Sequence, residues 1–419
     1  MNRRQFLLGA AALGLAGGGS ALAGKWPEQG LKNACLANLP ADPEVAELIA
    51  SVWQGLDAAR VWDCHAHLIG VGDGGSGIRI NPAMDSLLNP VQYVQKIFYM
   101  NAGCVHEAPG QVDRSFVARL ANLAAGMAPG FKLLLLAFDA FHDEAGQVSW
   151  RNSVFYTPDT WARDMARAYP AQFEWVASIH PYRADALERL EQAAKDGARA
   201  VKWLPAAQGI DPGSPRCDRF YDALARLKLP LISHAGKEQA VHSPEFQHCG
   251  NPLLLRRPLE RGVRVVVAHC ASHGEDVDVD RGRHGPSVAS MELFARLMAE
   301  PRFEGRLFGD ISALPQVNRA PALRKVLEQR EWHGRLLNGS DYPLPGVMPL
   351  FSASLMADMG LLPARLVAPL KRIRSHNPLL FDFALKRSLR LDGRGLPPSV
   401  FETRPFFDPI VPDNHPHGS

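Results

Sequence analysis

Two histidines separated by a single small residue, His65 and His67, close the apolar run Val61-Trp62-Asp63-Cys64-His65-Ala66-His67-Leu68. On a β-strand successive side chains alternate faces, so both imidazoles project the same way and can reach one cation. Three later strand-like runs also end in a metal-competent side chain, at Ser233-His234, Ala268-His269 and Ser340-Asp341. Neutral imidazole and carboxylate are the ligands that suit zinc and its neighbours. A lone histidine in a strand is ordinarily a satisfied core group; the convergence of separate runs is what points to a metal centre.

The elements that must position these groups alternate between apolar strand candidates and amphipathic helical stretches, the pattern of βα units around a parallel sheet. Strand runs fall at 61–68, 131–138, 173–180, 198–204, 230–234, 263–269, 306–311 and 336–341. Eight such units predict an α/β fold, a closed (β/α)8 TIM barrel, whose active site lies at the C-terminal ends of the strands. His65, His67, His180, His234, His269 and Asp341 then share one mouth, with Lys202 inside the fourth strand. A long insertion after strand 1 begins with the Gly-rich stretch 69–77 and carries helices near 90–99 and 114–125; connections of this length commonly wall or cover a site. A helix over 158–169 is expected to open with Thr157 as cap and Pro158 in its first turn. His142, Trp203, His273 and Tyr342 follow or end strands and are further candidates for the pocket, while His106 and Glu107 in the insertion are expected at the surface.

The chain start is of another kind. Arg3-Arg4 before Phe6-Leu7, a short small-residue apolar stretch and Ala21-Leu22-Ala23 make a cleavable export signal over 1–23, and the paired arginines resemble the twin-arginine type. The expected domain order is this signal, an extension over 24–59, the barrel over 60–391 and a C-terminal tail over 392–419, whose His415 and His417 only superficially resemble a metal site. Periplasmic or secreted placement follows, with the twin-arginine export machinery as a partner and no stable membrane anchor. The formal net charge is +3, two units of which are Arg3 and Arg4, so nucleic acid is not an expected partner. Six cysteines without zinc-finger spacing are too few for a disulfide scaffold. Cys64 and Cys270 are expected as buried hydrophobes facing away from the neighbouring histidines, and a bridge among Cys35, Cys104, Cys217 and Cys249 is allowed but not selected.

The order His-x-His on strand 1, Lys202 on strand 4, His234 on strand 5, His269 on strand 6 and Asp341 on strand 8 resembles the amidohydrolase superfamily. Gly197-Ala198-Arg199-Ala200-Val201-Lys202, Pro230-Leu231-Ile232-Ser233-His234-Ala235-Gly236, Asn338-Gly339-Ser340-Asp341-Tyr342-Pro343 and Asn377-Pro378 look like the branch containing aminocarboxymuconate semialdehyde decarboxylase and related hydrolases. The resemblance implies that His65, His67, His234 and Asp341 hold one divalent ion, zinc by preference, with His269 as catalytic histidine. It also allows a second ion if Lys202 is carboxylated; otherwise Lys202 meets an anionic substrate group or packs its stem. His180 and His273 are further substrate-binding candidates, and a homodimer is implied.

A divalent ion lowers the pKa of its bound water towards 7. The expected activity is therefore hydrolysis of an ester, lactone or amide bond in a small organic substrate, with Asp341 moving the proton. The alternative on the same residues is non-oxidative decarboxylation, for which Lys202, Arg183 or Arg319 would hold the carboxylate. A third reading is a non-catalytic exported metal-binding protein, which would have no need of both Asp341 and His269.

Overall fold

The computed structural model describes residues 27–241 and 243–408; the export signal over 1–23, His415 and His417 lie outside them. Eight parallel strands surround the core: β1 (Trp62–His67), β2 (Lys132–Leu136), β3 (Phe173–Val176), β4 (Val201–Trp203), β5 (Leu231–His234), β6 (Val265–Ala268), β7 (Leu307–Asp310) and β8 (Leu336–Leu337). Each pairs with its neighbour in chain order, the β3–β4 seam through the bridge Ala177 to Val201. Closure comes from the bridge Ala66 to Tyr342 and from three bonds: Cys64 N donates to Asn338 O at 3.0 Å, His67 N to Tyr342 O at 2.8 Å and Asp341 N to His65 O at 2.7 Å. The result is a closed (β/α)8 barrel.

Alternation sorts the strand side chains into two cores. Leu134, Leu136, Val176, Ile232 and Val266 fill the barrel interior with Trp62 and Cys64. Leu133, Leu135, Val265 and Val267 instead pack outward in the larger core that includes the helices. β1 carries a register shift between Asp63 and Ala66. Before it, Trp62 and Cys64 face the interior; after it, Ala66 turns outward while His65 and His67 line the cavity at the barrel mouth. A bulge is what permits that change of parity. Cys64 is therefore an interior residue below the histidines rather than one turned to the opposite face.

Two other expectations change. The helix after the second strand, Asp159–Ala168, has Pro158 at its N-cap without a side-chain bond, while Thr157 Oγ1 donates to Leu68 O at 3.1 Å and Thr157 lines the cavity. The segment 392–408, expected as the beginning of a tail, closes the barrel floor: Asn338 N donates to Val400 O at 2.8 Å, Thr403 Oγ1 donates to Trp62 O, and Phe407 enters the interior core. Among the described residues no helix is long and apolar enough to cross a membrane. His106 and Glu107 are exposed.

Cys35 and Cys104 form a disulfide that joins the N-terminal extension to the insertion, 69 residues apart; Cys64, Cys217, Cys249 and Cys270 are buried and free. Closing a loop of this length restricts the unfolded chain by about 4 kcal/mol in the chain-entropy account, with about 2–4 kcal/mol usually realised. Cys104→Ser is expected to lower the free energy of unfolding by that amount in chemical denaturation, and an unchanged midpoint would refute a stabilising bridge.

Candidate active site and metal centre

The C-terminal ends of the strands enclose a cavity. Its floor is polar, made of His65, His67, Lys202, His234, His269 and Asp341; its walls are apolar, with Leu68, Phe138, Phe155, Leu204 and Val241. A smaller, more polar lobe shares His234, Glu238, His269 and Asp341 and adds Gln239, Asn318 and Arg319.

Asp341 is the hub of the floor. Its Oδ1 lies 3.1 Å from His67 Nε2 and 3.5 Å from His65 Nε2, and its Oδ2 lies 3.7 Å from His269 Nε2. Donors around one tetrahedral ion at 2.0–2.1 Å stand about 3.3 Å apart. The separations from Asp341 to His65 and His67 match that value, and the three ligand atoms all lie within 4.8 Å of one another, so these residues fit a divalent cation. Asp341 is held in the left-handed region at φ 59 by its N–H bond to His65 O. Burial alone would raise its carboxyl; His269, His65 and His67 outweigh that and hold it well below the usual carboxylate range.

Asp310, at the end of β7, is the residue that sequence reasoning missed. Its Oδ2 accepts from His65 Nδ1 at 2.9 Å, and its Oδ1 accepts from His269 N at 2.8 Å, Ser312 N at 3.0 Å and Ser312 Oγ. A carboxylate partner requires His65 to carry its proton on Nδ1, which leaves Nε2 bare toward Asp341. Likewise His269 Nδ1 lies 2.8 Å from Ser312 Oγ, whose own proton goes to Asp310 Oδ1, and 3.0 Å from Ser312 O, so its proton sits on Nδ1 and its Nε2 is also bare. Burial favours an uncharged Asp310, but the Nδ1 proton of His65, then His269 and Lys202, hold its carboxyl below the usual carboxylate range. The signal was present as Gly309-Asp310 at the end of a strand run, without a histidine beside it.

Lys202 is buried, its Nζ 3.2 Å from His65 Nε2, and burial lowers its pKa. His234 shares the cavity, its ring 5.5 Å from that of His269. Its Nε2, however, faces Glu238 Oε2 at 3.3 Å, and its buried Nδ1 has no partner among the described residues. The expected ligand set is thus gathered for His65, His67 and Asp341, with His234 beside the group rather than in it. Glu238, four residues beyond His234, was also missed; burial pushes its carboxyl up to about 7 against bonds from the backbone of Val241 and Ala240.

Several expected pocket residues lie elsewhere. His180 is buried outside the cavity, Nε2 bonded to Gln208 O at 2.9 Å and Nδ1 accepting from Tyr182 N at 3.2 Å, so both nitrogens serve the fold. His142 bonds Ala140 O and packs at a tilt against His180, and Arg183 pairs with Asp139 and Asp185 in the same cluster. His273 lines neither lobe; its carbonyl accepts from Lys237 N. Trp203 bonds Ile179 O in the core, and Tyr342 packs against Phe116.

Barrel, buried carboxylates and bare imidazoles define a metal-dependent barrel enzyme. The amidohydrolase family profile matches residues 62–363, and the chain belongs to that family. Among solved structures it is similar to an uncharacterised TIM-barrel protein of Bordetella bronchiseptica, at 15% identity over 77% of this chain and 99% of that one, TM-score 0.45. It is also similar to a probable 2-pyrone-4,6-dicarboxylic acid hydrolase of Acinetobacter baumannii, at 14% identity over 77% and 99%, TM-score 0.40. A third is 5-carboxyvanillate decarboxylase of Sphingomonas paucimobilis, at 13% identity over 79% and 99%, TM-score 0.41. Comparison with curated proteins gives no match.

Asp310→Asn should free His65 to take the wrong tautomer and weaken metal affinity roughly 10- to 100-fold; competition against a chromophoric chelator measures it, and an unchanged affinity would remove Asp310 from the metal centre. A pH effect follows as well. Burial lowers the pKa of His67, His234 and His269, the last to about 3, below the value of about 6.5 expected in the unfolded chain. The unfolded state therefore takes up protons first, so chelator-treated protein should lose stability progressively as pH falls below about 6.5. A denaturation midpoint that stays flat from pH 7 to 5 would contradict this.

Proposed function

We propose that this enzyme is an exported metal-dependent hydrolase that cleaves an ester, lactone or amide bond in a small organic substrate, from the branch resembling aminocarboxymuconate semialdehyde decarboxylase. The observation that carries the reading is the division of Asp341, one oxygen among the imidazoles of His65 and His67 and the other beside His269. His65, His67 and Asp341 would hold the ion, with His234 the nearest further donor on the floor. A divalent ion bound there, zinc by preference, supplies Lewis acidity toward a carbonyl and a water of lowered pKa.

The chain's own groups do the rest. Asp341 Oδ2 is placed to take a proton from an attacking water and return it to a leaving oxygen or nitrogen. His269, whose proton is committed to Ser312 O, presents a bare Nε2 to the same space and acts as a second acceptor rather than as a donor to an oxyanion. Leu68, Phe138, Phe155 and Leu204 exclude bulk water around the reacting group and favour an apolar substrate body. The leader over 1–23 supports export, and the Cys35–Cys104 bridge suits an oxidising compartment.

Decarboxylation remains the second reading because Lys202 and Arg319 both face the cavity, whereas Arg183 does not. A non-catalytic binding role leaves the Asp341 and His269 pair without a use. The test is metal analysis of protein produced through its own export route, followed by a screen of esters, lactones, amides and unsaturated carboxylates. Asp341→Asn and His269→Gln are expected to lose roughly 10²- to 10⁴-fold in kcat/KM. Full turnover in Asp341→Asn would sink the mechanism, and release of CO₂ without hydrolysis would select the second reading.

A further inference from the structure

A second cavity adjoins one apolar wall of the catalytic cavity. Arg79–Ile80 of the insertion pairs antiparallel with Phe155–Tyr156, Arg79 opposite Tyr156 and Ile80 opposite Phe155. Alternation puts the two pairs on opposite faces of this short ribbon. Ile80 and Phe155 pack inward against Met84, Phe138, Val154 and Leu204. Arg79 and Tyr156 meet Trp150 on the outer face: the guanidinium lies 4.3 Å from the indole centroid, and the two aromatic rings stand 5.5 Å apart at 83°. Val71, Gly72, Arg79, Trp150 and Tyr156 line the second cavity, and Phe155 lines both it and the catalytic one. The two spaces are neighbours across a single side chain.

Both walls of this outer groove are fixed. Asp113 accepts from Val71 N at 2.6 Å and Gly72 N at 3.0 Å, which pins one wall. On the other, Trp150 is 41% exposed, yet Arg79 covers a face of its ring and Tyr156 abuts it. A single exposed apolar residue is ordinary; what sets Trp150 apart is that it is braced and that its groove adjoins the catalytic cavity. The polar side chains beside these rings are already spent. Asn81 Nδ2 donates to Arg151 O and Ser153 O, and its Oδ1 accepts from Ala83 N. Ser153 Oγ donates to Ser149 O and accepts from Phe141 N. A sugar would need such groups for its hydroxyls, whereas a planar ring needs only aromatic faces, aromatic edges and a stacked guanidinium.

We propose that this groove is an outer subsite for an aromatic ring, held by Trp150, Tyr156 and Arg79 while the scissile bond lies at the metal centre, so that the enzyme takes two-ring aryl esters or amides that reach past Phe155. The proposal deepens the functional reading and rests on it for the position of the reacting bond. N-benzylacetamide and N-benzylbenzamide, which differ by one phenyl ring, are the probes, titrated into metal-loaded enzyme and followed by ligand-observed NMR. The second is expected to bind the wild type roughly 10-fold tighter than the first. Trp150→Ala should remove most of that advantage and leave N-benzylacetamide unchanged, and Arg79→Gln, which keeps the ring but removes the stacked cation, should fall between. In labelled protein, N-benzylbenzamide should shift the indole N–H resonance that Trp150→Ala deletes, and N-benzylacetamide should not.

Equal affinity of the two probes for the wild type, no binding of either at its solubility limit, or a ring advantage that survives in Trp150→Ala would overturn the proposal. So would binding of methyl β-glucoside that depends on Trp150, since the platform would then serve a sugar. If the advantage follows Trp150 while no ester, lactone or amide is turned over, the subsite stands and hydrolysis falls. If turnover is found but the added ring changes neither affinity nor kcat/KM, the reverse holds.

Discussion

The site depends on a change of parity in one strand. Simple alternation along β1 would send Trp62, Cys64 and Ala66 inward and leave His65 and His67 among the surrounding helices. The bulge between Asp63 and Ala66 reverses this after Cys64, and Asp63 holds it: its Oδ1 accepts from His65 N at 3.0 Å and from Ser340 N at 2.8 Å. One buried carboxylate thus fixes both the strand that carries two imidazoles and the segment that carries Asp341. Gly339 lets the two approach, since a Cβ there would stand 2.6 Å from His65 Cβ. Lys386, paired with Asp382, donates to Gly339 O at 2.6 Å and secures the same segment from the helix behind it.

With the backbone so fixed, the electrostatics of the floor follow. Burial keeps imidazoles neutral and would normally neutralise carboxylates too, yet the hydrogen bonds and charges around Asp310 hold its carboxyl below the usual carboxylate range. Asp310 spends its charge on the protons of its neighbours, setting the tautomer of His65 and the backbone turn at His269. That turn runs through three left-handed residues, His269, Cys270 and Ala271, at φ 55, 50 and 49. Each costs of order 1 kcal/mol or more outside glycine, and the bond from His269 N to Asp310 Oδ1 is what offsets it. Asp341 instead points its charge at the bare Nε2 atoms of His65 and His269 as well as at His67. A buried anion facing lone pairs is poorly compensated by the protein alone, which is the electrostatic argument for a cation there.

What was legible in the chain was whatever repeats along it. Continuous aliphatic runs such as Val265-Val266-Val267 announce buried parallel strands, and all eight were found in their order. The metal-competent residues were visible because they end those runs. The bulge was not, because one extra residue leaves the apolar pattern almost unchanged. Asp310 and Glu238 escaped for another reason: an isolated acidic residue after a strand has no distinctive spacing, and its role appears only when the barrel brings His65 or His234 against it. His180 misled in the opposite sense, ending a strand run yet turned to Gln208 O at 2.9 Å by the loop that follows β4. The segment 392–408 looked like a tail since its Pro and Phe content carries no period, although Phe401 and Phe407 are buried.

The division of labour between strands and loops explains why chemistry is easier to infer than substrate. The strand ends are rigid and deliver the polar floor, whereas the walls come from connections braced individually. Asp113 pins the start of the insertion through Val71 N and Gly72 N. Tyr99 Oη and Gln95 Nε2, on the insertion helix Pro90–Ala102, donate to Ala240 O and Gln239 O, holding the loop that bears Glu238 and Val241 against the cavity. Arg374 donates to Pro345 O, Val347 O and Phe351 O, each within 3.0 Å, and so sets Leu344 and Leu350. Each brace is a few polar contacts to backbone carbonyls, which leave little trace in residue type but determine the shape of the cavity. A change of substrate within this fold therefore needs only a change of brace or wall, while the floor of His65, His67, Asp310 and Asp341 must stay as a unit, because its tautomers, charges and backbone turns are set by one another.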